Sequence, residues 1–137
     1  MTDAPAALLA RAVGDGGQAF GSFFLSRLLG MAVDYPDDAC AVSFVAEPLL
    51  FNPQGSLHGG VLATALDISM GHLLHHTVGA GATLEMKVQY FAPVRAGIVT
   101  CRATFLKRGR KLFFLQSAAA GADGEAIAHA TSTWKLL

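Results

Sequence analysis

Residues 52–60 read Asn-Pro-Gln-Gly-Ser-Leu-His-Gly-Gly and run into an apolar segment, Val61 to Val78, that carries one acid, Asp67. A turn rich in Pro and Gly opens a helix here, and Gly59 and Gly60 fall where its first unpaired amides stand. Lacking a Cβ, they let a ligand come close to the backbone, at the end of the helix that favours negative charge. A lone carboxylate among Leu66, Ile68 and Met70 is unfavourable to bury unless it is paired or tuned, and desolvation lifts its pKa toward the range of a base. Amides that polarise a carbonyl and an acid that directs attack on it make a kit for acyl transfer. Each half also has a plainer reading. The glycines would let the helix pack closely, and the aspartate would bond a neighbouring backbone or hydroxyl group. Found together, they favour chemistry.

Gly59 and Asp67 lie eight residues apart, about 12 Å along one helix axis at 1.5 Å per residue. One carbonyl cannot touch both from the same helix. A reaction that uses both takes the amide from one subunit and the acid from another, and two antiparallel helices about a two-fold axis supply two such sites. Composition points the same way. The 137 residues are 53% hydrophobic and only 15% charged, against about 25% charged in an ordinary soluble domain. So small a chain has much surface to cover, and a homo-oligomer, either a dimer or a dimer of dimers (a homotetramer), is expected.

Other chemistry finds less support. Ten basic residues balance ten acidic ones, so no basic stripe implies nucleic acid. Cys40 and Cys101 are far apart with no CxxC, which suggests free core thiols and a cytoplasmic setting. Residues 57–78 hold Asp67 and four histidines, so no membrane span is expected. The N-terminus has no basic region leading into an apolar core. His72, His75 and His76 have helical spacing, but no acid or cysteine stands at a suitable offset, and histidines suit a helix C-terminus. No metal and no cofactor is expected. There is no GxSxG, and Ser56 beside His58 is too local for a triad.

The elements that must place these residues follow from periodicity. Residues 4–13 and 19–30 read as helices, with Phe20, Phe23, Phe24, Leu28 and Leu29 at helical spacing. Residues 39–51 read as a strand that Pro48 bends, and the long helix covers roughly 58–77. Thr83 to Phe91 alternates, with Leu84, Met86, Val88 and Tyr90 on one face and Glu85, Lys87 and Gln89 on the other. Ile98 to Leu106, Leu112 to Ala120 and Ala126 to Leu137 are further strands, with a basic hairpin tip at residues 107–111. Short links favour antiparallel neighbours, so the expected fold is α+β: a long central helix wrapped by a curved antiparallel sheet of about five to six strands. One domain is expected over residues 1–137, with an N-terminal helical segment (1–38) and a core (39–137).

These residues resemble a known family. Ser26-Arg27-Leu28-Leu29-Gly30-Met31, Asn52 through Gly60 with Asp67, Thr83 to Pro93, Gly109-Arg110, and Ala128 to Trp134 are similar to the hotdog-fold acyl-CoA thioesterases, in the branch like the phenylacetic-acid-pathway thioesterase. The specific part is Asn, then His-Gly-Gly, then an acid nine residues after the His. The resemblance implies sheets joined side by side in a dimer, active sites at the interface, and an acyl-CoA substrate. It implies that Asp67 is general base or nucleophile, that the Gly59 amide binds the thioester oxygen with Gly60 beside it, and that Asn52 and His58 position the reacting groups. Arg108, Arg110 and Lys111 would meet the CoA phosphates. Some relatives carry a hydroxyl four places after the acid; here that place is Gly71, and the expectation moves to Thr83. The acyl pocket would be lined by the helix, the 83–91 strand and Phe20, Phe23 and Phe24. The rival readings are a non-catalytic acyl-CoA binding or sensing module, and an acyl-thioester hydratase or dehydratase.

Overall fold

The computed structural model describes residues 4–137. Two short helices open it, α1 (Ala4–Val13) and α2 (Phe24–Leu28), followed by strands β1 (Ala32–Asp34) and β2 (Cys40–Val45) and a single 3-10 turn at Pro48–Leu50. The long helix α3 (Gly59–Thr77) comes next, then β3 (Gly81–Tyr90), β4 (Ile98–Arg108), β5 (Leu112–Ala120) and β6 (Ala126–Leu136). Among the described residues the strands form one six-stranded sheet in the order β1-β2-β4-β5-β6-β3, antiparallel throughout. A long helix lies on a wrapped antiparallel sheet, which is the α+β hotdog arrangement that the sequence resemblance implied.

Alternation builds the inner face of the sheet. Cys40, Val42 and Phe44 on β2, Val99, Cys101 and Ala103 on β4, and Phe113, Leu115 and Ala119 on β5 are all buried. Against them α3 presents Leu62, Ala65, Leu66, Met70, Leu73 and Leu74, also buried. Truncating one such leucine to alanine costs about 2–5 kcal/mol. Two polar pairs are sealed in with full partners: Ser69 Oγ donates to the Leu66 carbonyl (2.7 Å) and shares a hydrogen bond with Ser117 Oγ (2.7 Å), while Trp134 Nε1 donates to Ser132 Oγ. Buried hydroxyls so satisfied do not weaken the core.

The N-terminal part departs from its periodicity. Only 24–28 of the expected 19–30 helix is helical, and the segment to residue 38 includes β1, which pairs with β2. Gly21 at φ +87° breaks the helix. Its amide donates to His72 Nε2 on α3 (2.9 Å), and the Phe20 ring stacks on His75 at 3.5 Å. Arg11 and Arg27 then act as staples. Arg11 donates to the Arg27 and Leu28 carbonyls and pairs with Glu47 at 3.1 Å, and Arg27 donates to the carbonyls of Ala12, Gly17 and Ser22. Similarly, the expected 39–51 strand ends at Val45, where the chain turns into Pro48–Leu50.

Candidate active site

The first turn of α3 uses nearly all of its free donors. His58 is the N-cap, and its ring Nδ1 accepts from the Gly60 amide at 2.8 Å. The Val61 and Leu62 amides both reach the His58 carbonyl, at 3.0 and 3.2 Å. Of the four amides a helix start leaves open, only that of Gly59 has no partner among the described residues. The sequence offers two candidate amides, and the cap selects one. Gly60 instead fixes the His58 ring, with Nδ1 as acceptor and therefore the proton on Nε2.

The approach to this turn is equally tight. Asn52 Oδ1 accepts from the Gln54 and Ser56 amides and its Nδ2 donates to Ser56 Oγ (3.1 Å), closing a loop in which Gly55 takes φ +89°. The Asn52 oxygen is thus occupied by its own loop, and any ligand contact falls to Nδ2. Asn52 and Gly59 share a cleft of about 300 Å³ with Leu57, Leu62, Tyr90, Phe91 and Val94. Tyr90, which carried no role in the sequence, donates its hydroxyl hydrogen to the Gly59 carbonyl at 2.7 Å.

Asp67 lies two turns further along α3. Thr83 Oγ1 donates to its Oδ1 at 2.8 Å. Burial raises the Asp67 pKa from its ordinary value, and the Thr83 hydrogen bond lowers it again in part. Plain alternation would put Thr83 on the outer face of β3 with Glu85. The register explains why it is not there: Thr83 pairs with Trp134 and Glu85 with Thr133, so Leu84 is the extra residue of a β-bulge. The bulge turns Thr83 to the helix side, in line with the buried Trp134. That indole also accounts for Gly71, because a Cβ there would sit 2.6 Å from Trp134 Cη2. A hydroxyl residue four places after the acid does not fit beside this tryptophan, and the threonine of β3 supplies the hydroxyl.

The basic tip stands at the same end of the sheet. Phe113, Trp134 and Thr83 share one row across β5, β6 and β3, which puts the β4–β5 hairpin about 10 Å, two strand spacings, to the side of Thr83. Arg108 lies over the Phe105 ring at 4.8 Å, and Arg110 and Lys111 are exposed.

With this geometry in view, the comparisons are specific. Residues 54–127, from the loop before His58 into β6, match the model of the thioesterase superfamily. The chain belongs to that superfamily. This thioester hydrolase is 27% identical over 130 residues to the medium/long-chain acyl-CoA thioesterase YigI of Escherichia coli K12, covering 81% of this chain and 84% of that one. Among solved structures it is similar to a phenylacetic acid degradation-related protein of Ralstonia eutropha JMP134 (TM-score 0.77, 24% identity, 94% of this chain and 98% of that one). It is also similar to the BH2602 protein of Bacillus halodurans, solved with CoA (TM-score 0.86, 21% identity, 100% of this chain and 95% of that one). The last two show the fold.

The thioesterase therefore holds the residues expected to act on the thioester in two groups, apart from the basic hairpin tip. Asn52, His58, Gly59 and Gly60 gather at the helix start, and Asp67 with Thr83 forms the second group. The aromatic segment lies elsewhere. Phe20 and Phe23 pack on His72, which is five residues past Asp67 and about 140° around the helix. They line a separate cleft with Gln18 and Ala19, so within one chain they do not share a pocket with the 83–91 strand. The rings of His75 and His76 are stacked on Phe20 and Tyr35. No helix among the described residues is long and apolar enough to cross a membrane.

Proposed function

We propose that the chain acts as one hotdog unit, 1–137, that hydrolyses an acyl-CoA, with each site assembled from the Gly59 amide of one subunit and Asp67 of another. The observation that carries this reading is the single unpartnered amide at the α3 start beside an apolar cleft. The thioester oxygen, which gains charge on attack, accepts from that amide, a contact worth about 10²–10³ in rate. Asp67, oriented by Thr83, either takes a proton from the attacking water or attacks the carbonyl itself. By the water route, the new C–O bond forms, the C–S bond breaks, and the products are the free acid and CoA; by the other, the Asp67 carboxylate displaces the CoA thiolate to give an acyl anhydride, which water hydrolyses to the same acid and the free carboxylate. His58, with Nε2–H outward, and Asn52 Nδ2 line up the reacting groups, and Arg108, Arg110 and Lys111 attract the CoA phosphates.

Three features support two subunits per site. The two groups are about 12 Å apart along α3, β3 has an open edge, and Gly60, Ala63, Thr64 and Asp67 form a strip of mostly small residues that allows another helix close approach. The cleft by Gly59 suits an aryl or medium-chain acyl group, and the YigI name supports the latter end of that range. A thiol-detecting assay over a panel of acyl-CoA esters tests the reading. Asp67→Asn is expected to lower kcat by about 10²–10⁴ with a smaller change in KM; full turnover would remove Asp67 from the chemistry. A chain that binds these esters and releases no thiol would instead be a sensing module.

A further inference from the structure

We infer that Tyr90 is a positioning residue for the Gly59 amide, holding the first turn of α3 so that its one free N–H keeps a fixed place and direction. The inference rests on the proposed role of that amide in the reaction. Consecutive glycines are the most freely moving pair a chain can have, and a helix end has few bonds to restrain it. The Gly59 N–H shares a rigid peptide plane with the His58 carbonyl, which the Val61 and Leu62 amides hold, but the loose torsions of Gly59 and Gly60 that follow would let that plane tilt, and a donor that must reorganise during reaction loses much of its value. Three side chains counter this. His58 Nδ1 takes the Gly60 amide, Thr64 Oγ1 donates to the Gly60 carbonyl at 2.8 Å, and Tyr90 Oη donates to the Gly59 carbonyl at 2.7 Å. The first two come from the same segment as the glycines. Tyr90 is the one that ties Gly59 to the sheet.

The contact is more than a hydroxyl brushing a carbonyl. The ring edge and the hydroxyl oxygen both lie 3.3–3.4 Å from where a Cβ on Gly59 would be, so the tyrosine packs on the side of the residue that a side chain would occupy and bonds its carbonyl from there. Tyr90 is itself fixed, because it closes β3 opposite Ala128 and the next two amides, of Phe91 and Ala92, both donate to the Ile127 carbonyl. Its side chain is 52% exposed. The hydroxyl had water to turn to and is on the glycine instead. A phenylalanine would keep the ring and lose the hold.

Tyr90→Phe tests this, with Asp67→Asn assayed beside it and Gly59 followed by the NMR order parameter of its backbone N–H. The expected result is a kcat lower by about tenfold, the size of one neutral hydrogen bond, with KM nearly unchanged, the melting temperature close to that of the unsubstituted chain, and a lower order parameter at the Gly59 N–H. If Asp67→Asn is inactive while Tyr90→Phe keeps full kcat, Tyr90 has no positioning role and the reading of the site stands. A parallel fall in melting temperature and rise in KM would make Tyr90 ordinary packing and overturn the inference. If the unsubstituted chain cleaves no thioester, the reading of the site fails, and the order parameter at Gly59 decides alone: lower in Tyr90→Phe supports the hold, unchanged overturns it.

Discussion

A carboxylate with one oxygen on Thr83 and no second partner among the described residues is oriented without being neutralised. Its raised pKa has two consequences of opposite kind. In the proposed reaction Asp67 acts in its ionised form, so kcat should rise with pH through a midpoint above the ordinary aspartate value of 3.8. For stability the sign reverses. Where the folded pKa exceeds the unfolded one, the folded chain holds more protons between the two values, and stability falls as pH rises through that window. Asp67→Asn should therefore raise the melting temperature at neutral pH, and the gain should vanish below the ordinary aspartate range; a stabilisation that persists unchanged in acid would contradict this origin. Asp67 was legible in the sequence because nothing else charged lies in its segment. Gly59 and Gly60 were legible as a pair, but which amide stays free depends on the ring of His58, and no spacing rule reports a rotamer. Tyr90 gave no signal at all, because as an alternating β residue it is indistinguishable from core.

Among the elements, α3 and the last three strands read well from sequence because their periods are long and regular. β1 was missed, being three residues long and followed, after Tyr35, by Pro36 and Asp37, the latter at φ +51°. The 19–30 segment misled because its phenylalanines have helical spacing while packing on the histidines of α3 as an irregular strap. The bulge at Leu84 is the subtler case. Period-2 reading is phase-sensitive, and a single inserted residue sends everything before it to the other face. Thr83→Val keeps the shape of the side chain at this bulge and removes the hydroxyl that donates to Asp67. The expected result is a folded protein with kcat reduced by about tenfold or more, as for the loss of an orienting hydrogen bond to a charged group. Activity equal to that of the unsubstituted chain would show that the Thr83 contact is dispensable.

In the molecule as a whole, the two sheet edges differ. β1 closes one side with three residues, whereas β3 leaves ten residues at the other, where Leu84, Tyr90 and the adjoining Phe91 are all more than half exposed. A long open edge with apolar side chains calls for a neighbour, in keeping with the scarcity of charge read from composition. Mixing two inactive variants checks the division of labour. Gly59→Pro removes the one free N–H at a helix position that accepts proline, and Asp67→Asn removes the acid. Each alone should be nearly inert. Reassembled together from equal amounts, half the pairs are mixed and each mixed pair regains one of its two sites, so about a quarter of normal activity should return. No recovery would mean that both groups act within a single chain.

If copies pair along the rim of β3 to complete the proposed site, activity would depend on the protein's own abundance. Solitary copies would be idle, and output at low expression would climb with the square of the copy number rather than in proportion to it. A cell making a little of this polypeptide would have almost none of its activity, and crossing the threshold for pairing would turn it on.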